Sequence, residues 1–142
     1  MLPRFQHILV PVDFTAKNQA ALDIAFEMAS QNSARVTLLH VIETIENVPQ
    51  EELAAFYDRL NSRAETQLES RSQRFADAGV AVDRKIRHGK RLAEIVRDAR
   101  DRKADLIVMS SHRVDPTAAA QSLGTLSYQV SILCDCPVLL VK

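Results

Sequence analysis

Short runs of branched apolar residues alternate along this chain with longer amphipathic stretches. The runs fall at residues 7–12, 35–42, 80–87, 106–109 and 138–141. In all but the third the apolar residues cluster together rather than alternate strictly with polar ones, which is typical of strands that are buried on both faces. Parallel strands are buried in this way because the helices that connect them cover both sides of the sheet. The pattern therefore predicts an α/β fold with a parallel sheet flanked by helices.

The stretches between the runs repeat their apolar residues at helical spacing, and we predict helices at 18–30, 50–78, 91–103 and 125–133. Pro49 and Gly79 flank the longest of these, where they suit its start and its end. Sheets of this kind bind ligands outside the carboxyl ends of their strands. The loops that follow the first, second and fourth strands, at 13–17, 43–48 and 110–125, are therefore the candidate binding loops.

Length, charge and cysteine usage exclude several classes of protein. The chain has 142 residues, which predicts one domain spanning 1–142. Its 18 basic and 18 acidic residues cancel, which argues against a protein that coats nucleic acid or an anionic membrane. No apolar run is long enough for a membrane span or a signal peptide. Cys134 and Cys136 are too few and too close for a structural zinc site, and they suit a reducing compartment. We therefore expect a cytoplasmic protein.

The common catalytic and nucleotide-binding motifs are absent from the sequence. Its three glycines, Gly79, Gly89 and Gly124, cannot form a dinucleotide fingerprint, a P-loop or an esterase nucleophile elbow. His7 and His40 lie in predicted strands, where a structural role is the expectation. Ser111, His112 and Asp13 supply the residue types of a hydrolytic triad, but a chain with this many serines offers that set by chance.

Two segments at the predicted carboxyl edge have an open interpretation. Asp13 directly follows the first strand, where its carboxylate either accepts hydrogen bonds from a base or ribose or caps the next helix. The segment from Met109 to Thr125 either forms an anion site at a helix start, with Gly124 allowing close approach, or is a plain loop ending in a helix cap. The basic cluster at 84–91 is either ordinary surface charge or a rim that steers phosphates.

Four segments taken together resemble the universal stress protein (UspA-type) family. They are ILVPVDFT near the start, ADLIVMSSH, the GT pair at Gly124 and Thr125, and the closing CPVLLVK, and the resemblance runs from Ile8 to Lys142. It implies an adenine nucleotide alpha hydrolase-like fold, a five-stranded parallel sheet of order 3-2-1-4-5 with helices on both faces. It also implies a cytoplasmic stress-response homodimer paired through the last strand. The apolar edge segment VLLV suits such pairing.

The nucleotide motif of that family is only partly kept. Its ATP-binding branch carries G-x-x-G, nine residues and then G-[ST], whereas this chain has Ser110 and Arg113 at the first two glycine positions and ten residues before Gly124. Ser110 is small enough to substitute and adds a hydroxyl donor. Arg113 either fills the phosphate cradle or grips a phosphate, and Asp115 and Pro116 follow it in the same loop.

Carried over by the resemblance, the adenine-nucleotide contacts fall on both candidate segments. The residues implied are Pro11, Val12, Asp13, Val41, Met109, Ser110, Arg113, Gly124, Thr125 and Leu126. The implied cofactor is ATP or another adenine nucleotide, with Mg²⁺ on its phosphates. Hydrolysis would be at most slow, because no convincing base or nucleophile is present. The alternative is a nucleotide-free dimeric interaction protein with a degenerate glycine motif.

Overall fold

A computed structural model describes residues 4–112, 117 and 124–142 of the chain. Its five strands are β1 (His7–Pro11), β2 (Arg35–Glu43), β3 (Val82–Gly89), β4 (Leu106–Ser110) and β5 (Val138–Val141). They form one parallel sheet of order β3-β2-β1-β4-β5. The predicted fold class and strand order are confirmed.

Four α-helices are described, with a short 3₁₀ turn at Gln50–Leu53. They are α1 (Asn18–Asn32), α2 (Ala54–Asp77), α3 (Arg91–Asp101) and α4 (Leu126–Leu133). No helix among the described residues is long and apolar enough to cross a membrane. The sequence places a continuous helix at 50–78, but its first four residues form the 3₁₀ turn, and α2 proper begins at Ala54.

The helices cover opposite faces of the sheet. Ile8 and Val10 of β1 pack on one face with Ala21 and Ala25 of α1 and with Phe75 of α2. On the other face, Leu9 packs with Ile95 of α3 and Val130 of α4. Successive strand residues point to opposite faces, so an uninterrupted apolar run is what two helical layers require.

This topology decides where a ligand can reach the sheet. The chain leaves β1 toward α1 on one face and leaves β4 toward α4 on the other, because strand order reverses between these neighbouring strands. Two connections that diverge to opposite faces leave a crevice between them. That crevice lies at the carboxyl ends of β1 and β4.

Candidate functional site

A cavity of about 220 Å³ occupies this crevice. Its walls come from the ends of β1, β2 and β4, from the starts of α1 and α3, and from the start of α4. The lining residues are Pro11, Val12, Asp13, Asn18, Leu39, His40, Val41, Arg91, Ile95, Met109, Ser110, His112, Thr125, Leu126 and Ser127. The site is therefore built from segments spread over most of the chain.

The cavity gathers most of the residues that the sequence singles out. Pro11, Val12, Asp13, Val41, Met109, Ser110, Thr125 and Leu126 all line it. Gly124 lies in the exposed turn before α4 and is not among the lining residues. Arg113 lies outside the described residues, as do Asp115 and Pro116.

Asp13 does not cap the next helix, which is one of the two roles that the sequence leaves open for it. Its Oδ1 accepts hydrogen bonds from the backbone N–H of Thr15 at 3.0 Å and from the Thr15 hydroxyl at 2.7 Å. These bonds tighten the loop between β1 and α1 but do not cap α1, which begins later, at Asn18. The carboxylate is exposed and lines the cavity, so Oδ2 remains available to a ligand.

His40 contributes a fixed aromatic wall. Its Nδ1 lies 2.6 Å from the carbonyl oxygen of Val12, and its ring stacks on Phe14 with centroids 4.2 Å apart. A carbonyl only accepts, so Nδ1 carries the proton and the neutral ring keeps an acceptor at Nε2. Burial lowers the pKa of His40 below its usual 6.5, which favours this neutral form.

Two of the five basic residues at 84–91 are held by carboxylates, and one lines the cavity. Arg87 pairs with the buried Asp98, their Nη2 and Oδ1 atoms 3.1 Å apart, and Lys90 pairs with Glu46 at 2.6 Å. Arg91 lines the cavity and holds Glu43 only loosely, with 3.7 Å between Nε and Oε1. Of this cluster, Arg91 is the cation placed to meet an anionic ligand in the cavity.

Hydroxyl groups line the side of the cavity at α4. Thr125 occupies the N-cap position in an extended conformation, but its side chain makes no capping hydrogen bond, contrary to the cap expected from the sequence. Its Oγ1 lies 3.5 Å from Ser127 Oγ, which is 2.8 Å from Ser111 Oγ. The free N–H groups of the first turn of α4 therefore remain unoccupied by that side chain.

The hydrolytic triad drawn from the sequence does not assemble among the described residues. Ser111 is buried and bonds to Ser127, while His112 Nδ1 lies 3.0 Å from Lys17 Nζ. Asp13 is bonded to Thr15, as described above. Each member is engaged elsewhere, so the arrangement lacks the nucleophile–base contact that such chemistry requires. The described residues also contain no group of three or more His, Cys, Asp or Glu side chains placed to hold a metal ion.

Sequence reasoning missed several lining residues, among them the polar Asn18 and His40. Asn18 opens a helix, a position that is commonly exposed, and His40 sits inside an apolar strand. Strand register brings His40 to the crevice, because it follows Leu39, which pairs with Pro11 at the end of β1. Packing of α1 brings Asn18 there, against Pro11 and Ser110. The sequence feature that could have identified them is their position near the end of a predicted strand or the start of a predicted helix, at the carboxyl edge of the sheet.

Comparison with known proteins gives a consistent result over the whole chain. A family model described as the universal stress protein family matches residues 4–142. The universal stress protein YxiE of Bacillus subtilis is 27% identical over 148 residues, covering 97% of this chain and 99% of YxiE.

Two solved structures superimpose closely. Lactobacillus plantarum UspA has a TM-score of 0.84 at 24% identity, covering 98% of this chain and 99% of its own. The hypothetical protein MJ0577 has a TM-score of 0.82 at 31% identity, covering 97% and 96%.

Two further solved structures of the same fold contain adenine nucleotides. One is a universal stress protein in complex with cAMP, with a TM-score of 0.71, 22% identity and 97% coverage of both chains. The other is the universal stress protein of Archaeoglobus fulgidus in complex with dAMP, with a TM-score of 0.68, 19% identity and coverage of 97% and 98%. At these identities the likeness extends to the fold.

Proposed function

The chain belongs to the universal stress protein family, and on that premise we propose that it binds an adenine nucleotide in the cavity at the carboxyl ends of β1 and β4. One observation carries the proposal. Eight of the ten residues that the family resemblance implies as nucleotide contacts line a single cavity at the switch point of the sheet. The cAMP and dAMP complexes of proteins with this fold support the same ligand class.

The chemistry of the walls suits a nucleoside. Val41, Met109 and Leu126 offer apolar surface for a flat base, while Asp13 and Ser110 offer polar atoms for a ribose. The volume of about 220 Å³ lies just under the range of roughly 300–1,000 Å³ for whole drug-sized ligands. The base and ribose therefore fill the cavity, and the phosphates extend toward its mouth. In the ATP form of the proposal, Mg²⁺ arrives bound to the phosphates, since the described part of the chain has no group of three or more His, Cys, Asp or Glu placed to hold a metal ion by itself.

Calorimetric titration with ATP, AMP and cAMP tests the proposal, and saturable binding is expected below millimolar concentration. Asp13→Ala removes a charged acceptor, and loss of such a hydrogen bond corresponds to roughly a 10- to 100-fold weaker Kd. Asp23→Ala is the matched control, since Asp23 is an exposed carboxylate on α1 that does not line the cavity. Equal losses in both variants would contradict the assignment of Asp13.

The partly lost glycine motif supports one competing function, a nucleotide-free interaction protein. Ser110 occupies a family glycine position, and only Gly124 and Thr125 of the motif are kept. Protein purified without added nucleotide distinguishes the two functions. Adenine absorbance released on denaturation supports nucleotide binding, whereas its absence together with no saturable titration supports the interaction protein.

We also propose that the chain forms a homodimer through β5 in the cytoplasm, where it acts in the response to stress. β5 is an edge strand, Leu139 on it is exposed, and Ile132 of α4 nearby in sequence is 77% exposed. An exposed apolar edge pairs readily with an identical copy. Leu139→Lys is expected to shift the sedimentation coefficient from dimer to monomer, while Val48→Lys, at an exposed position outside β5, leaves the dimer intact. Sedimentation of the unmodified chain as a monomer would refute this assembly.

A further inference from the structure

Asn18 is a buried amide in the cavity wall. It is the first residue of α1, and only 1% of its surface is exposed. Its Nδ2 donates to Ser110 Oγ at 3.1 Å and lies 3.4 Å from the carbonyl oxygen of Pro11. The amide therefore bridges the ends of β1 and β4, the two strands that frame the crevice.

The other half of this amide has no partner among the described residues. Asn18 Oδ1 is screened from solvent and accepts no hydrogen bond within the described part of the chain. A buried acceptor without a donor opposes folding, and native proteins carry few of them. An apolar residue of similar size would avoid this penalty, so the reason for asparagine at this position must lie in the hydrogen bonds that Nδ2 donates.

Ser110 supplies the reason. It is the last residue of β4, in extended backbone that every residue type adopts, so serine replaces glycine here without conformational strain. A hydroxyl has one proton and two lone pairs. Because Asn18 Nδ2 donates to one lone pair of Ser110 Oγ, the Ser110 proton must point elsewhere, and Ser110 lines the cavity.

We propose that Asn18 is a positioning residue that holds the Ser110 hydroxyl as a hydrogen-bond donor to a ribose or phosphate oxygen of the bound nucleotide. The inference rests on the proposed nucleotide binding and names the chemistry of one contact within it. In this chain the pair replaces the close backbone approach that a glycine at position 110 would allow. The altered glycine motif is therefore compensated at this position by a side-chain donor and its support.

Titrations with AMP and adenosine on single and double variants test the proposal. Ser110→Ala removes one hydroxyl and is expected to weaken the Kd for AMP about tenfold. Asn18→Ala is expected to weaken it by a similar factor, and the double variant by no more than the larger single effect, because both changes remove the same contact. If the variants bind both adenosine and AMP more weakly, the contact is with the ribose. If only the affinity for AMP falls, the contact is with the phosphate.

A glycine variant separates positioning from a purely structural role. In Ser110→Gly the hydroxyl is gone and the backbone is open to the ligand, so adding Asn18→Ala is expected to leave the Kd unchanged. If Asn18 were only structural, its removal would weaken binding equally in both backgrounds, and that result would overturn the proposal.

Two control variants complete the design. Asn32→Ala alters the last residue of α1, whose amide bonds to Arg4, Phe5 and Met28 away from the cavity. Ser131→Ala removes a hydroxyl of α4 that bonds to the carbonyl of Tyr128. Neither is expected to change the Kd. If the unmodified chain binds AMP and Ser110→Ala binds it equally well, the inference fails while the proposed function stands. If the unmodified chain binds no nucleotide, both fail.

Discussion

At the scale of single residues, the buried His7 and the half-buried His40 link folding to pH. His7 Nε2 lies 2.8 Å from Thr37 Oγ1 and its Nδ1 lies 3.1 Å from the carbonyl oxygen of Arg102, while His40 bonds to Val12. Burial is the largest cause that lowers the pKa of each below 6.5. The unfolded chain therefore binds these protons at a higher pH than the folded chain does.

We expect the free energy of unfolding to fall as pH is lowered through the window just below 6.5. In that window the unfolded state takes up more protons than the folded state, which gives stability a positive slope with pH. Urea titrations at a series of pH values measure this slope. The double variant His7→Gln, His40→Gln is expected to flatten it, whereas the exposed His112→Gln is expected to keep it. An unchanged slope in the double variant would assign the effect to other groups.

Asp98 gives a second prediction at this scale. Its carboxylate is fully buried, with Oδ1 3.1 Å from Arg87 Nη2 and Oδ2 2.8 Å from Arg102 Nε. Asp98→Asn leaves both arginines without their counter-ion, a loss of about 3–5 kcal/mol when the stranded charge is fully buried. These arginines reach solvent, so we expect Asp98→Asn to lower the free energy of unfolding by about 2–3 kcal/mol. Chemical denaturation measures this loss.

The exposed pair of Arg74 and Asp23 supplies the comparison. Pairs of this kind contribute less than about 1 kcal/mol, so Asp23→Asn is expected to change stability little. If Asp98→Asn and Asp23→Asn lower the free energy of unfolding by similar amounts, burial does not make the Asp98 ion pairs more stabilising than an exposed pair.

At the scale of elements, α2 shows how one helix divides its apolar residues between core and surface. Phe75 is 1% exposed, and its ring packs edge to face against the ring of Phe26 of α1, with the two ring centroids 5.5 Å apart. Phe56, on the first turn of the same helix, is 38% exposed. Phe75→Ala is expected to cost about 3–5 kcal/mol, because the cavity it leaves is enclosed by two helices and the sheet.

Phe56→Ala removes the same side chain from the surface and is expected to change stability by less than about 0.5 kcal/mol. Urea unfolding monitored by circular dichroism measures both variants. A large loss in Phe56→Ala would show that this ring is covered in solution, for instance by a second molecule.

Each strand or helix was predicted as accurately as its pattern of apolar residues allowed. The apolar runs at 106–109 and 138–141 locate β4 and β5 within one residue, since an uninterrupted run of branched apolar residues between polar segments marks a strand clearly. The third run is shifted, with β3 at Val82–Gly89 in place of 80–87, because this edge strand alternates only weakly. The 3₁₀ turn before α2 was not predicted, because apolar spacing over four residues does not separate it from an α-helical turn.

The candidate site was less accessible from sequence than the fold. Ser110 ends β4 and Asp13 lies two residues beyond the end of β1, so both are found from strand ends, whereas His40 and Asn18 reach the cavity through register and packing. The support that Asn18 gives to Ser110 joins residues 92 positions apart. No local pattern reports a contact of that separation.

At the scale of the whole molecule, ligand binding and unfolding are coupled. A nucleotide that binds only the folded chain raises the free energy of unfolding by about 2.7 kcal/mol at 100 times its Kd. For a domain of this size, we expect this to raise the Tm by about 10 °C. Differential scanning calorimetry with and without AMP measures the shift. Asp13→Ala should need more AMP for the same shift, and a constant Tm at saturating AMP would count against binding in the cavity.

All five strands point the same way, so the cavity lies at the rim formed by their carboxyl ends. The rim formed by their amino ends tolerates changes that the first rim does not. The rim opposite the cavity is formed by turns such as Ser33–Ala34 and Gly79–Val80, and none of these residues lines the cavity. A fluorophore or affinity handle attached there would leave the ligand-facing rim unaltered. The opposite turns are limited only by packing and backbone conformation, as at the buried Ala34 and at Gly79 with its φ of +78°, whereas the loops around the crevice must also suit its guest.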